Sequence, residues 1–127
     1  MFDSKKLKKI GAYGEKITAY YLQKKGCEIL KMNYTVRGGE IDIVARRIVP
    51  HRGGFLIFVE VKTRRFHSFG FGQESITFRK RLALRRAIYS YLNTHEEASI
   101  WRFDVIEITL ERDGKFKSLE HFEDVEL

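Results

Sequence analysis

Two segments restrict what this chain can become. GGEIDIVARR at residues 38–47 and GGFLIFVEVKTRR at 53–65 set charged residues at alternate positions inside runs that are otherwise apolar. A β-strand sends successive side chains to opposite faces, so the spacing predicts two strands. Glu40 and Asp42 then share one face of the first, and Glu60 and Lys62 one face of the second, with Ile41, Ile43, Val59 and Val61 turned the other way. The bland account of such alternation is the solvated face of a half-exposed sheet. The neighbouring residues argue against it, because DIVA and VEVK are apolar around their charges, as strands covered on both faces are. A charge on a covered strand is costly unless it is paired or binds a metal ion. If the strands are neighbours, three carboxylates and one ammonium converge on one patch of sheet, an oxygen-rich site suited to Mg²⁺ or Mn²⁺.

The remaining chain reads as support for that pair. Its 127 residues are the size of a single domain, 1–127, with residues 1–4 and 123–127 expected to fray. From Lys5 to Lys25, apolar residues recur at intervals of three and four, which predicts an amphipathic helix stopped by Gly26. Glu15 lies on or beside its packed face. Gly11 and Gly14 each lower helix propensity by roughly 1 kcal/mol relative to alanine, and they suggest a close neighbour at this turn. A short strand at residues 27–33 follows, then a turn at 34–39, the GGEIDIVA strand, a connection at 46–54 and the FLIFVEVKTR strand. Residues 66–73 read as a loop beside the site. A helix from about Thr77 to Asn93 buries Leu84, Ala87, Ile88, Tyr91 and Leu92. A strand at 100–110 and an edge strand at 115–122 complete an α/β domain with a mixed sheet.

The net charge of +7 points to an anionic partner. Nucleic acid fits better than a membrane surface, since the longest apolar run, Phe55 to Val59, is far too short to span a bilayer. The first residues lack the apolar core of a secretory signal, which places the chain in the cytoplasm. Cys27, the single cysteine, excludes an internal disulfide and a zinc knuckle, and the histidines at 51, 67, 95 and 121 show no metal-ligand spacing.

Phosphodiester hydrolysis is the reaction that acids and a lysine in this arrangement serve best. Asp42 and Glu60 would ligate the metal, with the Val61 carbonyl completing the shell. Lys62 would face the nucleophile, and Glu15 and Glu40 would hold a coordinated water or a second ion. Arg46, Arg47, Arg52, Arg64, Arg65, Arg79, Lys80 and Arg81 are candidates for phosphate contacts. Phe66, Phe69 and Phe71 are candidates for base stacking, or for capping the core. No base-reading motif is present, so recognition is expected to be structure-selective or nonspecific.

The ordered set G11-x-x-G14-E15 with Tyr21-Leu22 and Gly26, GEID at 39–42, FVEVKTR at 58–64, Lys80 with its helix, and RFDV at 102–105 resembles the YraN-like family of small bacterial predicted endonucleases. That family is placed in the PD-(D/E)XK nuclease superfamily. The resemblance implies a restriction-endonuclease-like αβββαβ core, with Asp42 as the motif aspartate, Glu60 and Lys62 as the ExK pair and Glu15 as the acid contributed by the helix. Together with the residues, it leads to the expectation of a Mg²⁺-dependent endonuclease acting on DNA, branched or single-stranded forms included, with RNA also open. The sequence does not fix the oligomeric state, though cutting both strands of a symmetric junction would favour a homodimer. The rival reading is a catalytically silent nucleic-acid-binding or adaptor module that keeps the nuclease fold.

Overall fold

A computed structural model describes residues 4–65, 77–95 and 100–127, with side chains from residue 9 onward. Its elements are α1 (Ser4–Lys24), β1 (Cys27–Val36), β2 (Gly39–Val49), β3 (Gly53–Arg65), α2 (Phe78–Thr94), β4 (Trp101–Leu110) and β5 (Phe116–Phe122). The strands form one sheet in the order β1-β2-β3-β4-β5. β3 and β4 run parallel and every other neighbouring pair is antiparallel. The parallel pair needs a crossover, and α2 supplies it. This is the expected mixed α/β order.

Each helix covers one face of the sheet. Leu84, Ala87, Ile88 and Tyr91 of α2 pack with Val44, Leu56, Phe58, Phe103 and Val105. Leu22 of α1 packs with Ile43, Ala45, Ile57, Val59, Ile106 and Ile108 on the opposite face, flanked by Ile10 and Ile17. The alternation along β3 therefore divides residues between two cores, which explains why its sequence is apolar at consecutive positions. Burying each such side chain contributes about 1.5–3 kcal/mol.

Several boundaries differ from the sequence reading. β1 does not end at Asn33; the asparagine takes a left-handed conformation (φ 53°), which this residue tolerates, and the strand resumes to Val36. Arg46 and Arg47 lie in β2, not in a loop, because the strand continues to Val49 and a tight turn closed by Arg52 N–H to Val49 O leads into β3. The C-terminal residues expected to fray are tied down: the amide of Asp124 donates to Asp104 and that of Val125 to Phe103 O, while Val125 and Leu127 pack against the α2-side core. The expected loop at 66–73, with Phe66, Phe69 and Phe71, lies outside the described residues.

Two glycines set the spacing between layers near the charged strands. A Cβ on Gly14 would sit 1.8 Å from Thr63 Oγ1, so α1 approaches β3 as closely as a glycine allows, whereas Gly11 has open space around it. A Cβ on Gly39 would sit 2.2 Å from the backbone carbonyl of Ala83 in α2. Backbone cannot rotate away, so Gly39→Ala should destabilise the protein by about 2–3 kcal/mol through overpacking, seen as a lowered midpoint in urea. An unchanged midpoint would show that α2 shifts freely.

Candidate active site

The C-terminal half of β3, the start of β2 and the first turns of α2 meet at one end of the sheet, and α1 reaches the same end through the Gly14–Thr63 contact. Asp42 holds the central position, for a reason the alternation did not show. Ile41 belongs to the α2-side core and Ile43 to the α1-side core, so β2 turns over between them, beside the left-handed Asn33 of β1. Ile41 and Ile43 therefore do not share a face as expected. The backbone ladder of β2 with β3 stops at Ile43–Val59, and Asp42 Oδ2 accepts the Val61 N–H at 2.8 Å. The carboxylate is thus aimed along the sheet at β3.

Glu60 is buried, at 7% exposure, beside that carboxylate. Burial, then the Glu60 charge, with a smaller push from Glu40, raises the Asp42 pKa to about 7, against the opposing pull of the Val61 amide and Lys80. Lys80 Nζ lies 3.1 Å from Glu60 Oε1. Burial alone would lower the Lys80 pKa, but Glu60, through charge and hydrogen bond, with Asp42 and Glu40 behind it, raises it. Glu15 comes in from α1. Its pKa is raised by burial and by the charges of Asp42 and Glu40, with the Asn33 side chain opposing. Its Oε1 is buried without a hydrogen-bond partner. Glu40 is exposed and stands at the rim, acting on the others through its charge.

The structure therefore brings Asp42, Glu60, Glu15 and Glu40 within mutual electrostatic reach, but not around one point. Among the described residues no three His, Cys, Asp or Glu side chains are disposed to hold a single metal ion. The donor set that fits a cation is the pair Asp42 and Glu60. Mg²⁺ commonly takes one or two carboxylates and keeps several waters, and a divalent charge would relieve the repulsion that holds Asp42 partly protonated at neutral pH.

Lys62 follows Glu60 on β3 at the level of Glu107 of β4, an acid with 6% exposure. Arg64 Nη2 lies 3.8 Å from Glu107 Oε1. Glu107 was not singled out from the sequence, although an acid inside WRFDVIEITL was a visible signal of the same kind as Glu60. Lys80, a candidate phosphate contact, lies against Glu60.

The basic candidates divide into two groups. Arg64 and Arg65 end β3, and Arg79, Lys80 and Arg81 begin α2, capped by Thr77, whose Oγ1 accepts the Lys80 amide at 3.1 Å. These border the acids. Arg46, Arg47 and Arg52 run toward the opposite end of the sheet, Arg47 being five residues along the strand from Asp42, or roughly 17 Å at the usual rise per residue. Arg46 is engaged with Glu28 of β1 at 2.6 Å. These three lie away from the acids, because β2 runs on to Val49 and carries the connection with it.

Residues 14–108 match the model of a family described as uncharacterised protein family UPF0102. The matched span includes every candidate site residue discussed above. Similar proteins include a UPF0102 protein of Pelotomaculum thermopropionicum, 44% identical over 97% of this chain and 98% of its own length. Another, from Alkaliphilus oremlandii, is 41% identical over 90% of this chain and 97% of its own. UPF0102 protein Franean1_1156 of a Parafrankia species is 40% identical over 89% and 92%.

Proposed function

The chain belongs to the uncharacterised protein family UPF0102, the YraN-like family that its motifs resemble, and we propose that it is a divalent-metal-dependent endonuclease with a restriction-endonuclease-like αβββαβ core. The observation that carries this reading is the Asp42–Glu60 pair: two acids forced together at the end of a covered sheet, one of them with its pKa raised to about 7. Displaced titration of this kind, caused by burial and a specific neighbour, is a mark of functional sites. The element order and the parallel β3–β4 step crossed by α2 agree with the proposed core.

Asp42 and Glu60 would hold Mg²⁺ or Mn²⁺. A bound cation of this type polarises a phosphoryl oxygen and lowers the pKa of a coordinated water. Lys62, on the same strand two residues beyond Glu60, compensates the charge that develops on the phosphoryl group or orients the attacking water. Glu15 has an oxygen left unpartnered in the interior and would hold that water. Arg64, Arg65, Arg79 and Arg81 hold the substrate backbone, giving steep salt dependence without sequence preference. The substrate is DNA, cut in the cytoplasm. Among the described residues no helix is long and apolar enough to cross a membrane.

Linear duplex, single-stranded, flap and four-way-junction DNA, incubated with the chain in Mg²⁺ or Mn²⁺, test the proposal. At least one should be cleaved, and Glu60→Gln and Lys62→Met should each reduce the rate by about a hundredfold or more. Failure to cut any of them above an Asp42→Ala control would sink the nuclease reading. Salt-sensitive DNA binding without metal uptake would favour the silent binding module instead, whose supporting observation is that, among the described residues, no three ligand side chains surround one point.

A further inference from the structure

The contact between Lys80 and Glu60 carries an inference that rests on the proposed metal reading and deepens it. Lys80 sits in the first turn of α2, its backbone fixed by the Thr77 cap, and its side chain crosses to β3 to place Nζ 3.1 Å from Glu60 Oε1. The two partners differ in freedom. The Glu60 side chain is 10% exposed and sits in the middle of a covered strand, whereas the Lys80 side chain is 49% exposed. The acid is fixed and the amine is movable.

We propose that Lys80 is a resident counter-ion that the divalent cation displaces, so that metal loading releases the ammonium to a substrate phosphate. A cation coordinated by Glu60 at the usual oxygen distance of about 2.0–2.1 Å would stand close to an ammonium bonded to the same carboxylate. The two positive charges repel, and only the lysine has somewhere to go. That place is a hollow of about 340 Å³ between the β1–β2 turn and α2, lined by Lys80, Thr35, Gly39, Glu40 and Leu84. Its floor is the close approach of Gly39 to the α2 backbone, which keeps side-chain bulk out of it. In the hollow the ammonium leaves Glu60 and becomes available to a phosphate lying across the start of α2, beside Arg79 and Arg81.

Metal binding and phosphate binding are thereby linked. By reciprocity, whatever the cation gains from the departure of Lys80 the phosphate gains as well. The metal-free chain keeps Glu60 paired with Lys80, and each ligand prepares the site for the other.

Calorimetric titration of Mn²⁺ into the full chain without DNA provides the test, on the wild type, Lys80→Met and Lys80→Arg. Removing the competing charge should tighten Mn²⁺ binding about tenfold in Lys80→Met, and Lys80→Arg, which retains the charge, should bind like the wild type. In Ca²⁺, binding of a fluorescent duplex by the wild type should strengthen relative to metal-free buffer, with that gain reduced in Lys80→Met. Equal or weaker Mn²⁺ binding by Lys80→Met overturns the inference alone, leaving the metal site standing. Absence of Mn²⁺ uptake by all three chains overturns the metal reading and this inference with it.

Discussion

An Asp42→Asn chain should be more stable than the wild type at pH 8 and should cleave no DNA. Both effects have one origin. The Asp42 carboxyl, with a pKa near 3.8 in the unfolded chain and about 7 in the folded one, binds more protons folded than unfolded between those values. Stability therefore falls as pH rises through that window and stays low above it. A shift of this size corresponds to about 4 kcal/mol of native-state destabilisation above pH 7. Asparagine removes the charge and keeps an oxygen able to accept the Val61 N–H, so most of that energy should return. Urea denaturation at pH 8 should show a higher midpoint for the variant, and the difference should close as the pH approaches 4, where both side chains are neutral. Millimolar Mg²⁺ should raise the wild-type midpoint and leave the variant unmoved, since a ligand stabilises only the state that binds it. A variant less stable than the wild type at pH 8 would mean that Asp42 supports the fold, not the chemistry.

The same residue shows how far the sequence could be read. Alternation in GEIDIVA and FVEVKTR was enough to locate Asp42 and Glu60 and to predict covered strands, because charges inside apolar runs are rare without a reason. It misassigned the geometry. Asp42 does not lie beside Glu40 on a flat face; the strand turns over at that point, and a conformational choice at Asn33 of the neighbouring strand accompanies the turn. No pattern internal to β2 encodes an irregularity shared with β1. Lys80 shows a second limit. Three consecutive basic residues at 79–81 look alike in sequence, and which of them reaches the sheet depends on the phase of α2, fixed by the Thr77 cap and by Leu84, Ala87 and Ile88 in the core. Arg46 and Arg47 were misplaced for a simpler reason: residues 46–54 read as a connection, whereas a short turn joins two strands that both extend past the expected ends.

Asp104→Ala should lower stability by about 3–5 kcal/mol, the usual result of removing one partner of a buried charge network. Asp104 is fully buried and accepts from Arg102 Nε at 2.9 Å and Nη2 at 3.1 Å, His121 Nε2 at 2.7 Å and the Asp124 amide at 3.0 Å. On its other side the His121 ring pairs through Nδ1 with the Tyr21 hydroxyl of α1, 2.8 Å away. One carboxylate thus ties β4, β5, the C-terminal residues and α1 together, and α1 is the element that holds Glu15 over the site. Alanine would leave Arg102 and His121 without their acceptor and loosen all of these connections. Burial acts to raise the Asp104 pKa, but His121, the Asp124 amide and Arg102 together lower it below 3.8. Its contribution is therefore fully present above about pH 3.8 and lost as pH falls through the depressed value, opposite in sign to that of Asp42. Urea midpoints at pH 7 should separate wild type from Asp104→Ala clearly, and the gap should shrink at pH 2–3. An unfolding free energy within about 1 kcal/mol of wild type at pH 7 would show that solvent or neighbouring groups replace the carboxylate. If the network instead behaves as described, Asp104→Ala should also weaken DNA cleavage, although Asp104 is not among the proposed metal-holding acids, because Glu15 depends on where α1 sits.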